Sequence, residues 1–238
     1  MLYILLPSYN EKKNLKKIFL KLENLKKKLK FVVILVDDCS TDNTKKLLNS
    51  KFNFKIIYLR HKINRGLSIT LETGFKKIEK ICNKNDNVIT LDSDDTHPVD
   101  LIYHMNKTLN RNDIVIASRF VMGSKVYGVP YHRIIMSYGA KFLFKLFYKH
   151  KNLNDYTCNY RGYKFYLIKE ILKKKFFFKH EEFNIAAKIL IFLIKKYQNI
   201  KLKELPLILN YDYKVGESKM KIFKTIFLTL KLLFKKNY

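Results

Sequence analysis

Three polar clusters rich in carboxylates follow apolar stretches in the first hundred residues of the chain. They are residues 7–11 (PSYNE), 37–42 (DDCSTD) and 92–98 (DSDDTHP). Carboxylates crowded at one rim repel one another unless a cation or a hydrogen-bonding ligand lies among them. We therefore predict that these clusters form a ligand site and not a solvated surface.

Asp92 and Asp94 form a D-x-D unit directly after the apolar stretch VITL. Two hard oxygen ligands at this spacing can hold Mg²⁺ or Mn²⁺ and leave positions for a diphosphate. The alternative is a loop in which Asp or Thr caps the next helix. The chain has neither G-x-G-x-x-G after its first apolar stretch nor G-x-x-x-x-G-K-[ST], which argues against a Rossmann dehydrogenase and a P-loop NTPase. Metal and basic side chains would then have to neutralise the phosphates.

The elements that would position these clusters alternate between strand and helix. Strands are predicted over 2–6, 31–37, 54–59, 87–92 and 113–118, and helices over 15–29, 67–81 and 99–110. Such alternation predicts right-handed crossovers and an α/β fold with a doubly wound, mainly parallel sheet. Ligands bind such sheets beyond the carboxyl ends of the strands, where the three clusters fall. Ser40 or Thr41 is expected to cap the short helix after the second strand.

Two later stretches, 134–149 and 219–236, are helical in pattern, apolar and studded with lysine. Neither holds eighteen uninterrupted apolar residues, so we expect no transmembrane helix, and the opening MLYILLPSYNE resembles no signal peptide. Each stretch either packs on the core or lies in the plane of a membrane surface. In the last stretch, membrane contact would come from Leu228, Leu230, Leu232, Leu233 and Phe234, with Lys221, Lys224, Lys231, Lys235 and Lys236 facing anionic lipid. We predict one domain over 1–218 and a basic amphipathic helix over 219–238.

The formal net charge of +28 suggests an anionic partner. Only six of the 48 basic residues are arginine, and the lysines are spread along the chain without a nucleic-acid-binding motif. We therefore expect no nucleic-acid partner; attraction to an anionic membrane or a biased coding composition explains the charge. Three widely separated cysteines suit a reducing cytosol.

The motifs PSYNE, VDDCSTDNT, NRGL and LDSDDTHP, in this order, resemble family 2 glycosyltransferases. SRFVMG (118–123), Arg133 with Ser137, DYTCNYRGYK (155–164) and KELPLILNYDYKVGESK (203–219) are similar to the dolichol-phosphate mannose synthase and polyprenyl-phosphate glycosyltransferase branch. The resemblance covers essentially the whole chain and implies a GT-A fold. It also implies inverting transfer of a hexose, mannose or glucose, from a nucleotide-diphosphate sugar to polyprenyl or dolichyl phosphate. Such an enzyme would lie on the cytoplasmic face of a membrane.

The resemblance also implies a role for each matching residue. The nucleotide would be surrounded by Pro7, Tyr9, Glu11, Val36 and Asp38, and Lys219 would reach the donor diphosphate. The metal would be bound by Asp92 and Asp94 with Thr96 nearby, and the acceptor phosphate by Arg119, Arg133 and Ser137. Asp92, Asp94, Arg119 and Arg133 would be the catalytic set, with both arginines gripping the phosphate bidentately. Thr96 stands where many relatives have Gln, and Tyr213 where they have Arg, which bears on the donor sugar more than on the reaction.

Two other functions are compatible with the sequence. A family 2 enzyme that uses a non-phosphorylated glycan or lipid acceptor would need a general base, and Asp95 is the candidate. A non-catalytic basic binding protein is the second alternative. The D-x-D unit and the pair Arg119 and Arg133 argue against it.

Overall fold

Strands and helices alternate through most of the computed structural model, which describes residues 1–148, 150–151, 153–174, 177–178, 184–213 and 227–232. The strands are β1 (Leu2–Ser8), β2 (Phe31–Asp37), β3 (Lys55–Arg60), β4 (Asn87–Thr90), β5 (Ile114–Ser118), β6 (Lys125–Tyr127), β7 (Arg161–Lys164), β8 (Leu202–Pro206) and β9 (Ile208–Asn210). The α-helices are α1 (Lys12–Lys26), α2 (Gly66–Glu79), α3 (Leu101–Thr108), α4 (Tyr131–Phe147), α5 (Phe165–Leu172) and α6 (Ile185–Lys196). Short 3₁₀ helices span Thr44–Asn49 and Tyr211–Tyr213, and residues 227–232 are helical.

A seven-stranded sheet in the order β3-β2-β1-β4-β7-β5-β8 forms the centre of the fold. The strands pair in parallel except at β7, which runs antiparallel between β4 and β5. This mixed α/β architecture with a mainly parallel sheet confirms the predicted fold class. The carboxyl ends of β1, β2, β4 and β5 consequently meet at one edge, and β7 begins at that same edge.

Strand residues alternate between two hydrophobic layers, as the two-residue period of a strand requires. Leu2, Ile4 and Leu6 of β1 pack in the layer that contains α1 and α3. Tyr3 and Leu5 pack in the opposite layer, with α2, α5 and α6. Both faces of the central strands are therefore buried, which explains their continuous apolar sequences.

The predicted cap of the short helix after β2 is wrong. The 3₁₀ helix begins after Asn43, which has a left-handed backbone (φ 60°) and makes no side-chain cap. Ser40 instead accepts a hydrogen bond from the backbone N–H of Asn10, and Thr41 donates its backbone N–H to Asn10 Oδ1. These two residues thus join the loop after β2 to the loop after β1.

The end of the chain is described only over 227–232, so Lys219, Lys221, Lys224, Leu233, Phe234, Lys235 and Lys236 lie outside the described residues. Within that segment Leu232 is only 4% exposed and packs in the layer of α2, α5 and α6. Tyr148 Oη donates to the Leu232 carbonyl and Asn184 Nδ2 to that of Leu228. Leu232 therefore contacts protein and not lipid. The predicted boundary between the domain over 1–218 and the helix over 219–238 stays a prediction. Among the described residues, no helix combines the length and hydrophobicity needed to cross a bilayer.

Candidate active site

The loops after β1 and β2 form one side of the site. Asp38 donates its backbone N–H to the Ser8 carbonyl, and Asn10 is bonded to both Ser40 and Thr41. Asn10 and Cys39 both have positive φ, 54° and 65°. Few residues other than glycine, asparagine and aspartate adopt this backbone readily, so the sharp turns depend on the contacts between the two loops.

The residues predicted to surround a nucleotide lie along this side of the site. Pro7 and Val36 are buried in β1 and β2, while Tyr9 and Glu11 are half-buried just beyond β1. Asp38 is buried and surrounded by protein donors: His61 Nδ1 lies 2.6 Å from Oδ1, the backbone N–H of Arg65 donates to Oδ1, and that of Gly66 to Oδ2. Asp38 therefore holds the start of α2.

Asp37, to which no separate role was assigned from the sequence, also stabilises this loop. Its carboxylate is buried and accepts hydrogen bonds from Tyr58 Oη and from the backbone N–H of Ser40. Burial and the hydrogen bond to Asp37 together raise the pKa of Tyr58 to about 12. The adjacent aspartates thus both act on the scaffold of the site through protein donors.

The D-x-D loop follows β4 at the same edge of the sheet. Asp92 Oδ1 accepts a hydrogen bond from Asn159 Nδ2 (2.9 Å), and Asp94 Oδ1 accepts one from Thr96 Oγ1 (2.8 Å). His97 is buried, and its Nδ1 lies 3.9 Å from Asp92 Oδ2. Unlike Asp37 and Asp38, both Asp92 and Asp94 are half-buried.

The donor chemistry of this loop fits a divalent cation of the Mg²⁺ type. Two carboxylates and a hydroxyl, from Asp92, Asp94 and Thr96, are hard oxygen ligands. No cluster of three or more His, Cys, Asp or Glu that could hold a metal occurs within the part of the chain that the structure describes. Mg²⁺ commonly binds through one or two carboxylates together with substrate phosphates, so two carboxylates suffice for a cation that arrives with a diphosphate.

Asp95, the candidate general base, lies elsewhere. It has a positive φ of 62°, its side chain is 1% exposed, and its Oδ1 is 2.5 Å from Lys21 Nζ of α1. It is absent from the lining of the cavity described next. A buried carboxylate that is paired with lysine is poorly placed to take a proton from an acceptor.

A cavity of about 650 Å³ lies at the edge of the sheet where the D-x-D loop follows β4. Its lining brings together Arg119, Arg133 and Ser137. Arg119 follows β5, whereas Arg133 and Ser137 are one turn apart on α4. The remaining wall is mainly apolar, with Val126, Val129, Ile134, Met136, Leu143 and Leu209. Thr229 and Leu230 of the final described segment also line it. The cavity therefore combines cationic groups with an apolar wall.

Arg119 is oriented by Asp155, a residue with no role assigned from the sequence. Asp155 is fully buried, and Arg119 donates to it twice: from Nε to Oδ2 and from Nη2 to Oδ1, both at 2.8 Å. Arg119 Nη1 donates to Ser137 Oγ at 3.2 Å. Burial raises the pKa of Asp155, but the Arg119 guanidinium outweighs it and holds that pKa at about 2. The expected bidentate grip of Arg119 on a phosphate does not fit this arrangement, because Asp155 occupies the fork. Arg119 can offer Nη1 to the cavity.

Arg133 reaches the cavity from α4. Its Nη1 donates to Tyr211 Oη at 3.0 Å, and its guanidinium lies 5.9 Å from the centre of the Tyr211 ring. Tyr211 directly follows β9 and also lines the cavity. Arg133 therefore meets a phenol in the cavity, whereas Arg119 meets the carboxylate of Asp155.

Residues 155–160, just before β7, connect the two halves of the site. Asp155 binds Arg119, Asn159 binds Asp92, and Tyr160 Oη donates to the Pro98 carbonyl. This segment lies between the D-x-D loop and Arg119 because antiparallel β7 enters the sheet between β4 and β5. Lys219, predicted to reach the donor diphosphate, is outside the described residues.

The family model described as glycosyl transferase family 2 matches residues 3–172, which include both the D-x-D loop and the segment before β7. The chain belongs to glycosyltransferase family 2. A curated relative, the dolichol-phosphate mannosyltransferase of Pyrococcus furiosus, is 31% identical over 98% of this chain and 62% of its own length. The UDP-N-acetylglucosamine–dolichyl-phosphate N-acetylglucosaminyltransferase of Methanococcus voltae is 26% identical over 60% of this chain and 61% of its own. This chain thus spans less than two thirds of the length of either relative.

The solved structures give the same fold for this family 2 glycosyltransferase. Glucosyl-3-phosphoglycerate synthase from Mycobacterium tuberculosis, crystallised with Mn²⁺, UDP-glucose and phosphoglyceric acid, superposes with a TM-score of 0.67 at 12% identity. The superposition covers all of this chain and 81% of that one. The predicted GT-A fold is confirmed. At this identity the likeness concerns the fold alone.

Proposed function

We propose that this chain transfers a hexose from a nucleotide-diphosphate sugar to the phosphate of a polyprenyl or dolichyl phosphate. The observation that carries the proposal is the cavity, which joins Arg119, Arg133 and Ser137 to an apolar wall. A phosphate that carries an isoprenoid chain has the matching chemistry, an anion attached to a hydrocarbon. The two dolichyl-phosphate enzymes among the relatives support the same acceptor class.

The donor would occupy the loops after β1, β2 and β4. Pro7, Tyr9, Glu11 and Val36 would surround the nucleotide, with Asp38 holding the loop that closes it. Asp92, Asp94 and Thr96 would hold Mg²⁺ or Mn²⁺. When bound, the cation stabilises the charge on the departing nucleoside diphosphate.

The acceptor phosphate is already an anion, so it needs orientation and not deprotonation. Arg133, Arg119 Nη1 and Ser137 Oγ would hold the phosphate and fix the direction of attack. The phosphate oxygen attacks the anomeric carbon as the nucleoside diphosphate leaves from the opposite face, through a state resembling an oxocarbenium ion. The product of a single displacement has inverted configuration.

The acceptor lives in a bilayer, and α4 supports contact with one. Five of its side chains, spaced three or four residues apart on one face, are between 56% and 77% exposed: Tyr131, Ile135, Tyr138, Phe142 and Leu146. Lys141 and Lys145 lie along the same helix. Apolar residues flanked by lysine suit the interface of an anionic membrane. We place this surface, which we call the α4 face, against the cytoplasmic leaflet.

The two alternatives gain less support. A non-phosphorylated acceptor needs a general base, and Asp95 is buried against Lys21. A non-catalytic binding protein gives no reason for two half-buried carboxylates at the edge of a GT-A sheet.

A transfer assay with a panel of donors and acceptors tests the proposal. GDP-mannose, UDP-glucose and UDP-N-acetylglucosamine are each incubated with polyprenyl phosphate, with the matching polyprenol, or with a soluble glycan, and the lipid product is weighed by mass spectrometry. We expect a product mass increased by one sugar with polyprenyl phosphate alone, and none in the presence of EDTA. Transfer to polyprenol or glycan with equal efficiency would overturn the assignment of a phosphate acceptor.

A further inference from the structure

Asp92 is held by a side chain from a distant part of the chain. Asn159 Nδ2 donates to Asp92 Oδ1 at 2.9 Å, across 67 positions in sequence. Asn159 lies two residues before β7 and is only 9% exposed. A buried carboxamide aimed at a candidate metal ligand calls for a physical reason.

The backbone around Asn159 is fixed from two sides. Thr90 Oγ1, at the end of β4, donates to the Asn159 carbonyl. Tyr160 Oη donates to the Pro98 carbonyl, beyond the D-x-D loop. The carboxamide is therefore presented to Asp92 by two neighbouring elements, so its direction depends little on side-chain freedom.

A carboxamide at this position has an advantage over other donors. It donates an N–H to the carboxylate without adding negative charge to a rim that already carries Asp92 and Asp94. It also adds no positive charge that would compete with a cation for the carboxylate. With Oδ1 engaged by Asn159, the plane of the Asp92 carboxylate is set, and Oδ2 lies on the side of the buried His97 ring.

We infer that Asn159 is a positioning residue that orients Asp92 for a divalent cation and a nucleoside diphosphate. The inference rests on the proposed function, because it takes Asp92 as a ligand of the cation. Groups that orient metal ligands typically change metal affinity 10- to 100-fold when they are removed. Asn159→Ala should therefore weaken Mn²⁺ binding by about tenfold or more.

The experiment titrates Mn²⁺ into the full chain in the presence of saturating UDP or GDP and follows free Mn²⁺ by electron paramagnetic resonance. The variants are Asn159→Ala and Asn159→Leu, which both lack the N–H that donates to Asp92. Leucine keeps the volume of the asparagine side chain. Asp92→Ala serves as the loss control. Asn87→Ala is the matched control, because Asn87 is a buried asparagine at the opposite end of β4 that bonds to Asn106.

We expect both Asn159 variants to bind Mn²⁺ about ten times more weakly, with Asn87→Ala equal to the unmodified chain. Their melting temperatures should match that of Asn87→Ala, and turnover should recover as Mn²⁺ is raised, which a merely structural role would not produce. Unchanged Mn²⁺ affinity in both Asn159 variants, with affinity lost in Asp92→Ala, would overturn the inference and leave the proposed function intact. An affinity loss that appears only with a lower melting temperature would overturn it too. Failure of the unmodified chain to bind Mn²⁺ with either nucleotide would instead overturn the metal assignment on which it rests.

Discussion

Asp37 and Asp38 are adjacent aspartates with almost no exposed surface, and protein donors surround both carboxylates. Asp92 and Asp94 are half-buried and sit at the open edge of the same sheet. The first pair fixes loop geometry, and we assign the second pair to the cation. The two pairs are hard to separate in the sequence, because each is simply two aspartates after a strand.

Removing either carboxylate of the second pair should stop catalysis and spare the fold. We expect Asp92→Ala and Asp94→Ala to abolish transfer, because each removes a ligand of the cation, while relief of carboxylate repulsion offsets the lost hydrogen bond to Asn159 or Thr96 and keeps the fold. Asp38→Ala should lower the melting temperature, because the backbone N–H groups of Arg65 and Gly66 lose their acceptor. Transfer assays and thermal unfolding measure both effects. Near-normal turnover of Asp92→Ala or Asp94→Ala in excess Mn²⁺ would contradict the metal assignment.

Arg133 should act on the acceptor and not on the donor. Its guanidinium lines the cavity beside Tyr211, so Arg133→Ala should weaken the binding of polyprenyl phosphate by about 2–3 kcal/mol, roughly 30- to 150-fold. Calorimetry with the lipid phosphate and with the nucleotide separates the two ligands. Arg111→Ala, an exposed arginine that follows α3, is the control. If the nucleotide affinity falls and the lipid affinity is kept, Arg133 belongs to the donor site.

At the scale of elements, the strands that carry the D-x-D loop and the loops after β1 and β2 were predictable from sequence. Each is an uninterrupted apolar run, since both faces of the strand are buried. The antiparallel strand β7 was not predicted. Its sequence, RGYK, contains Arg161, which is fully buried and donates to the carbonyls of Ala186 and Tyr156.

A buried arginine and a glycine both conceal the strand pattern. Gly162 packs closely against Leu109, because a Cβ there would lie 2.8 Å from Leu109 Cδ1 and would force that side chain to move. Since β7 was missed, the segment before it could be recognised by resemblance but not placed. The partners of Arg119 and Asp92 therefore appear only in the folded chain.

Replacing Asp155 tests how the segment before β7, residues 155–160, supports the cavity. The folded-state pKa of about 2 lies below the ordinary value of 3.8, so the ionised carboxylate stabilises the fold above pH 4, and this stabilisation is lost as the pH falls from about 4 to about 2. Asp155→Asn should lower the free energy of unfolding at pH 7 by about 3 kcal/mol, because Arg119 loses its buried partner. The difference in the free energy of unfolding between Asp155→Asn and the unmodified chain should shrink by about 2 kcal/mol as the pH falls from 4 to 2.

Urea unfolding at a series of pH values measures this difference. Asp100→Asn, an exposed aspartate before α3, is the matched control and should give a difference near zero at every pH. A constant difference between Asp155→Asn and the unmodified chain down to pH 2 would show that Asp155 does not contribute through its charge.

At the scale of the whole molecule, the net charge and the exposed α4 face both favour the proposed contact with an anionic membrane. The chain carries a formal net charge of +28, and α4 carries both the residues of the cavity and the exposed α4 face. The sequence predicted that α4 is an apolar, lysine-bearing helix but not which of its side chains are exposed. For the last stretch the sequence left core packing and membrane contact open, and the fold buries Leu232 in the core. Ser137 lines the cavity and Phe142 does not, while Tyr138 belongs to both the cavity lining and the α4 face, so the proposed phosphate site and the proposed membrane contact adjoin on α4.

The last prediction therefore concerns the α4 face. Ile135 and Phe142 are exposed and do not line the cavity, so the double substitution Ile135→Glu and Phe142→Glu should spare the fold and the binding of nucleotide while preventing attachment to vesicles. Each lysine near an anionic surface contributes about 1 kcal/mol, so flotation of the unmodified chain with phosphatidylserine vesicles should decrease as salt screens the charge. Leu20→Glu on α1, an equally exposed leucine, is the control and should float normally. If the double variant floats as fully as the unmodified chain, the α4 face is not the contact. If the unmodified chain fails to float at low salt, the proposed contact with the membrane is wrong.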